Sequence, residues 1–167
     1  ETSYDVLLLD VKSRRVTPFL NSKTAEGWPE ISPDGRWLAY ASDESGRWEV
    51  WVQPFPGPGG RWQISKGGGN QPIWSKDGRQ IYYRQADQVW VTDVRTGEDF
   101  SAGRPRLLFE QQGFSSATPV RNWGLWPDGQ GFLMVKLDER KPEPVTEITL
   151  VQNWFEELKR LVPTGKK

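Results

Sequence analysis

Neither cysteine nor histidine occurs anywhere in the 167 residues. Without cysteine there is no disulfide framework and no thiolate chemistry, and the redox compartment stays open. Without histidine the usual general base is missing, together with the commonest transition-metal ligand. Ser-His-Asp and Cys-His mechanisms are thereby excluded. Any metal would need oxygen ligands, which means Ca²⁺, Mg²⁺ or Mn²⁺. Net charge is lacking too, with 22 Lys and Arg against 22 Asp and Glu. These charges are scattered, apart from the terminal Lys166-Lys167 pair, so no field draws in nucleic acid or an anionic membrane. No apolar run approaches the about 18 residues of a membrane helix, and no signal peptide is visible. The sequence therefore reads as soluble, a reading that also suits the exported part of something longer.

What is present is aromatic. Hydrophobic content is only 35%, yet ten Trp, seven Phe and four Tyr supply large packing surfaces, which argues against disorder and for a core. Trp28 to Ser65 organises the chain, because much of it recurs. The first copy reads W-P-E-I-S-P-D-G-R-W-L-A-Y-A-S, then E-V-W-V-Q-P and R-W-Q-I-S; the second reads Q-P-I-W-S-K-D-G-R-Q-I-Y-Y-R-Q, then Q-V-W-V-T-D. A weaker third copy, N-W-G-L-W-P-D-G-Q-G-F-L-M-V-K-L, starts at Asn122. The Asp-Gly pairs at Asp34, Asp77 and Asp128 are spaced 43 and 51 residues apart. Short strands repeating at roughly 40–50 residues point to propeller blades.

The expected fold is all-β, with three four-stranded antiparallel blades and a short C-terminal helix. Outer strands over 4–20 (Tyr4 to Val11, then Arg15 to Leu20) precede the first inner hairpin, so the chain opens partway through a blade. Blade one covers 28–65, with strands at Trp28 to Ser32, Arg36 to Ser42, Trp48 to Gln53 and Arg61 to Ser65. Pro and Gly in Ser32-Pro33-Asp34-Gly35 suit a tight turn, and the Pro/Gly run from Pro54 to Gly60 reads as an outer hairpin loop. Lys66 to Asn70 is the crossing loop. Its three glycines invite a phosphate-binding reading, but neither a helix nor a Lys-Ser/Thr pair follows. Blade two covers 71–110, with Thr96 to Gly103 as its outer loop. Blade three covers 120–151, with Glu147 to Val151 as its third strand. A tail helix over 153–162 begins at a capping Asn153 with Glu156 three residues on.

The string S-P-D-G-R-W-L-A-Y-A-S resembles TolB-like, WD-like β-propeller repeats. The longer string through G-R-W-Q-I-S-K-G-G-G-N-Q-P-I-W-S-K-D-G-R resembles the C-terminal propeller of bacterial eukaryotic-like serine/threonine protein kinases, as does the closing I-T-L-V-Q-N-W-F-E-E-L-K-R-L. That resemblance implies a sensing or binding role in a bacterial, extracytoplasmic or periplasmic setting. The kinase half has no counterpart: there is no Gly-rich G-x-G-x-x-G-x-V loop, no V-A-I-K and no H-R-D, so phosphoryl transfer is not implied.

The expected function is a ligand- or protein-binding module of sensor or scaffold type. The alternative is a divalent-metal-dependent hydrolase like the phosphotriesterases and lactonases, with Ca²⁺ or another oxygen-liganded metal in the channel of a six-bladed propeller. Residues near the start of each inner strand should face the channel mouth: Glu26 and Glu30, Asn70 and Gln71, Arg121 and Asn122. A metal would fall to Glu26, Glu30, Asn70 and Asn122, whose oxygens form the cluster such ions take; hydrogen bonding to crossing loops is the structural reading of the same residues. The Trp residues have inter-blade packing as the counterpart of carbohydrate stacking. The Asp of each Asp-Gly turn reads as structural. Three blades leave open edges, so the expected partner is a second copy, two chains exchanging strands to close six blades. A small molecule or peptide would occupy the channel.

Overall fold

Alternation of apolar residues at period two fixes most of this chain as strand. The computed structural model describes residues 4–114 and 120–136, together with Leu158, Arg160 and Leu161. It is all-β, and every sheet pairing is antiparallel. Strands β1 (Val6–Leu9) and β2 (Val16–Leu20) form a two-stranded sheet. A four-stranded meander follows: β3 (Glu26–Ile31), β4 (Trp37–Ser42), β5 (Glu49–Pro54) and β6 (Trp62–Gln63), paired in that order. The next sheet contains β7 (Asn70–Trp74), β8 (Gln80–Gln85), β9 (Gln88–Thr96), β10 (Phe100–Ala102) and β11 (Arg106–Glu110). Strands β12 (Trp123–Leu125) and β13 (Phe132–Met134) form the last described sheet.

One expected loop is partly strand. Within Thr96 to Gly103, β10 pairs with residues 94–96 of β9, and β11 then takes 88–91 of the same edge. Phe100 explains the difference: its ring lies 5.1 Å from Trp37 and 5.3 Å from Trp62, and burying it holds the segment down. The strand expected at Glu147 to Val151 lies outside the described residues. So does most of the tail helix, of which Leu158, Arg160 and Leu161 are helical. By contacts the chain divides into Glu1–Leu137 and Asp138–Lys167.

The two central sheets of the first unit carry buried apolar residues on both faces. All six residues of β4 are buried. Trp37, Val50, Val52 and Ile64 of one sheet pack against Trp74, Ile81, Tyr83 and Phe100 of the next. A second cluster joins Ile73 and Val89 to Trp123, with Tyr82, Phe109 and Phe132 around it. The middle sheet is thus packed from both sides, which requires near-continuous apolar strands.

The repeat shows itself most closely in two local devices. Each Asp-Gly turn carries the same backbone bond: Gly35 N–H to Ser32 C=O, Gly78 to Ser75 and Gly129 to Trp126, at 2.8–3.0 Å. The glycines have φ of 74°, 70° and 74°, the left-handed conformation that glycine adopts at no steric cost. The second device is a bulge in the first two inner strands. Register slips between Gly27 and Glu30 in β3 and between Asn70 and Ile73 in β7. The equivalent residues Trp28 and Gln71 hold φ of 51° and 52°, which is unusual outside glycine and asparagine and marks a bulge worth its strain.

Candidate functional site

The bulge in β3 decides which carboxylate meets which neighbour. Glu26 pairs with Ser42 and Glu30 with Ala39 across β4. Ser42 and Ala39 are three residues apart, so their side chains leave opposite faces of the sheet. Glu26 and Glu30 therefore point to opposite sides, although four residues along a regular strand would share a side. The six sequence candidates separate accordingly. Glu30, Gln71, Arg121 and Asn122 are connected, Asn70 adjoins them in the chain, and Glu26 lies apart.

Arg121 is the hub. Its Nη1 pairs with Glu30 Oε2 at 2.5 Å, and its Nη2 donates to Pro72 C=O at 3.1 Å and Trp28 C=O at 3.5 Å. One guanidinium thus joins the inner strands β3 and β7 to the segment leading into β12, using the multiple donors that only arginine offers. Two indoles reinforce the connection: Trp74 Nε1 donates to Glu30 C=O and Trp123 Nε1 to Gln71 C=O, both at 3.1 Å. Asn122 N–H donates to Gln71 Oε1 at 3.5 Å, and Asn122 Oδ1 accepts from Arg84 Nη1 at 3.4 Å. Arg84 is almost wholly buried. Burial lowers its pKa, and the Asp87 carboxylate offsets part of that.

Several polar atoms at the inner-strand starts are buried without a partner: Asn70 Oδ1, Gln71 Nε2 and Arg121 Nε. Buried polar atoms ordinarily find one, so orphans gathered in one place mark a water or ligand position. Of these residues Arg121 lines a cavity of about 340 Å³, together with Glu30, Lys76, Trp74, Trp123 and Trp126 among others. A larger cavity, about 1040 Å³, lies elsewhere, lined by Arg79, Asp93 and Ser101 among others.

Trp126 is the residue that sequence reasoning passed over, and the repeat itself carried the signal. Its equivalents are Ser32 and Ser75, which close their turns. Ser75 Oγ donates to Asp77 Oδ1 at 2.6 Å and accepts from Arg79 N–H and Gln80 N–H at 3.1 and 2.9 Å; Ser32 Oγ donates to Asp34 Oδ1 at 2.5 Å and accepts from Trp37 N–H at 2.9 Å. The third copy gives up that hydroxyl for an indole that is 52% exposed. It also places Gly131 where the others carry Trp37 and Gln80. A Cβ at 131 would come within 2.9 Å of the Trp126 ring, so the glycine is what lets the ring lie there.

Glu26 faces a different cavity. It is 4% exposed, its Oε1 accepts from the Ser22 and Thr24 hydroxyls, and its Oε2 has no partner. The four residues expected to hold a metal are therefore split between two places, and Glu30 already has a guanidinium against it. A cation at Glu30 would have to displace Arg121. Among the described residues no group of three or more Asp and Glu side chains gathers at one point. The Gly-rich loop, for its part, is occupied by the chain itself. Gly67 and Gly68 N–H both donate to Glu49 Oε1 at 3.0 Å, and Ser65 Oγ donates to Glu49 Oε2. The anion these amides cradle is the protein's own buried carboxylate.

No family model matches the chain. It is 26% identical over 140 residues to an uncharacterized protein of Agrobacterium fabrum, covering 80% of this chain and 47% of that protein. Among solved structures, it is similar to one assigned to TolB from Agrobacterium tumefaciens, with TM-score 0.50 and 22% identity over 64% of this chain and 41% of that one. TolB from Acinetobacter baumannii gives TM-score 0.48 and 21% identity over 64% of this chain and 27% of that one. The chain thus spans about half the length of the curated relative, and its fold is that of a TolB-like β-propeller.

Proposed function

We propose that this chain is a ligand- or protein-binding propeller module whose contact surface is the cavity around Glu30, Arg121 and Trp126. The observation that carries the reading is the exchange at the third turn. A hydroxyl that serves structure in two copies gives way to an exposed indole in the copy that borders a cavity lined by Arg121, whose Nε is unpartnered. An apolar ring beside a few convergent polar groups is the composition of a ligand site. Lys76, Arg121 and Glu30 supply the charge, and Trp126 supplies a large contact area with few rotamers to freeze. A sensor or scaffold role accords with the resemblance to kinase-linked propellers.

Peptides selected from a displayed random library against the wild-type protein test this. Their affinity is expected to fall about tenfold or more for Trp126→Ser and for Glu30→Gln, the loss typical of a central anchor. Equal affinity for both variants would remove the site. Chelator-sensitive turnover of an aryl ester or phosphotriester would instead favour the metal-dependent hydrolase. The partner proposed for the outer faces is a second copy. Leu7, Leu9, Val16, Leu133 and Val135 are each more than half exposed, and apolar area of that kind usually marks an interface. Light scattering that gives a monomer mass at micromolar concentration would overturn the second copy and leave the binding site untouched.

A further inference from the structure

The cavity at Glu26 is separate from the Glu30–Arg121 cluster, and its chemistry differs. It encloses about 340 Å³ between β1 and the start of β3, lined by Tyr4, Asp5, Glu26, Trp28, Trp48 and a few smaller or aliphatic residues. Among the described residues no Lys or Arg lines it. Two of the lining side chains, Glu26 and Trp28, are 4% and 7% exposed, and each carries a buried polar atom with no partner, Oε2 and Nε1. The backbone arranges this. Glu26 N–H donates to Tyr4 C=O at 2.9 Å, which brings β1 alongside. Trp28 sits in the left-handed bulge, and its ring meets Trp48 edge-on, with centroids 4.8 Å apart. Gly27 lies beneath the same ring, where a Cβ would rest in ordinary contact with Trp48 at 3.9 Å.

We propose that this cavity binds an organic ammonium group. The Glu26 carboxylate, nearly inaccessible to water and with Oε2 unmatched, borders a space lined by three aromatic residues. A cation there gains from the ring faces and from Glu26 Oε2 together, while a neutral guest gains from neither charge. A carboxylate buried this deeply with one oxygen unmatched is costly unless a positive group arrives. A divalent metal fits less well, because aromatic walls offer it no oxygen ligands and such ions require six or more. The ammonium can come from a small quaternary amine or from a lysine side chain, and both present the same charge to the same walls.

The test is titration of the full chain, labelled with ¹⁵N, by three probes: choline, its uncharged isostere 3,3-dimethyl-1-butanol, and N-acetyl-lysine methylamide. The indole N–H signals of Trp28 and Trp48 are expected to shift with at least one cation. The isostere should bind about tenfold more weakly or worse, the size of a desolvated cation–π and charge contribution. Glu26→Gln keeps the acceptor for Ser22 and Thr24 and should cost the cation about tenfold while leaving the isostere unchanged. Trp48→Leu should weaken choline more than the lysine probe, because the quaternary group depends more on the rings. Tighter choline assigns the site to a small amine, and a tighter lysine probe assigns it to a protein side chain. The proposal is overturned if neither cation shifts Trp28 below about 20 mM, a limit looser than the weakest specific sites. Equal binding of cation and isostere would also overturn it, as would Ca²⁺ moving the same signals and being reversed by a chelator. Peptide selection at the Trp126 cavity is unaffected by any of these outcomes.

Discussion

Two of the three Asp-Gly turns spend a serine on their own closure, and the third spends the same position on an exposed tryptophan. Ser32 and Ser75 each bind the turn aspartate and one or two amides of the returning strand. At Trp126 the backbone bonds persist, with Trp126 N–H to Gly131 C=O at 2.8 Å, but the side chain has no hydroxyl to bond the turn aspartate or the returning amides. The contrast extends to the surrounding sheet. Strand β4 is wholly buried, whereas Leu133 of β13 is 72% exposed. A repeat that keeps its fold while giving up a stabilising side chain fits the binding role proposed for Trp126.

Arg121 should have the largest effect, because it ties the weaker third copy to the first two. Arg121→Met removes the Glu30 pair and two carbonyl bonds, and should cost about 1–3 kcal/mol, reduced from the buried-pair value because both partners are partly exposed. Hydrogen exchange should speed up at Trp123–Leu125 and Phe132–Met134 and stay slow in β4 and β8. Uniform loosening of all sheets would break the distinction between the copies. Next come the serines. Ser32→Ala and Ser75→Ala each strand amides of the returning strand and should lose about 1–2 kcal/mol in urea unfolding. A change under about 0.3 kcal/mol would mean the hydroxyls are not what closes these turns.

Acid should sharpen the same contrast. For Asp34, burial raises the pKa, but the Ser32 hydroxyl and the Arg36 amide and guanidinium outweigh it, leaving the carboxyl below its usual value. For Asp77, the Ser75 hydroxyl is the leading cause of a lowering. A carboxyl depressed in the folded state contributes stability above its unfolded pKa and loses it as pH falls through the folded one. Stability should therefore decline below about pH 4, and the decline should be shallower in Ser32→Ala and Ser75→Ala. An identical pH slope in the variants would rule out the serines as its source. The smallest stability change is expected for Trp126→Ser, within about 0.5 kcal/mol of wild type, as for most exposed positions. Its effect belongs to binding, and a large loss of stability there would return Trp126 to the core.

Much of this architecture was legible in the sequence because the signals are local. S-P-D-G and S-K-D-G dictate a turn through the φ of proline and glycine and the reach of a serine hydroxyl, whatever surrounds them. Alternating V-W-V and I-Y-Y runs dictate strands, and their recurrence at blade spacing gave the propeller. The candidate residues came from counting back along each inner strand from its Asp-Gly turn, a count that does not show Glu26 and Glu30 leaving opposite faces. Strand β10 was not legible, because Phe100 is drawn in by Trp37 and Trp62, which lie far off in the sequence.

Sequence alone determined the all-β fold, the three equivalent turns and the absence of histidine and cysteine chemistry, each a matter of residue type and short-range geometry. Tertiary structure alone decided the sites. A left-handed residue at Trp28 inverts the strand's alternation and sends Glu26 and Glu30 to opposite faces. Glu30 then meets Arg121 across 91 residues of chain, while Glu26 is enclosed with Tyr4, Trp28 and Trp48. Side-chain direction depends on φ and register, and contacts at such separation depend on how sheets stack. Neither is written in the spacing of the residues themselves.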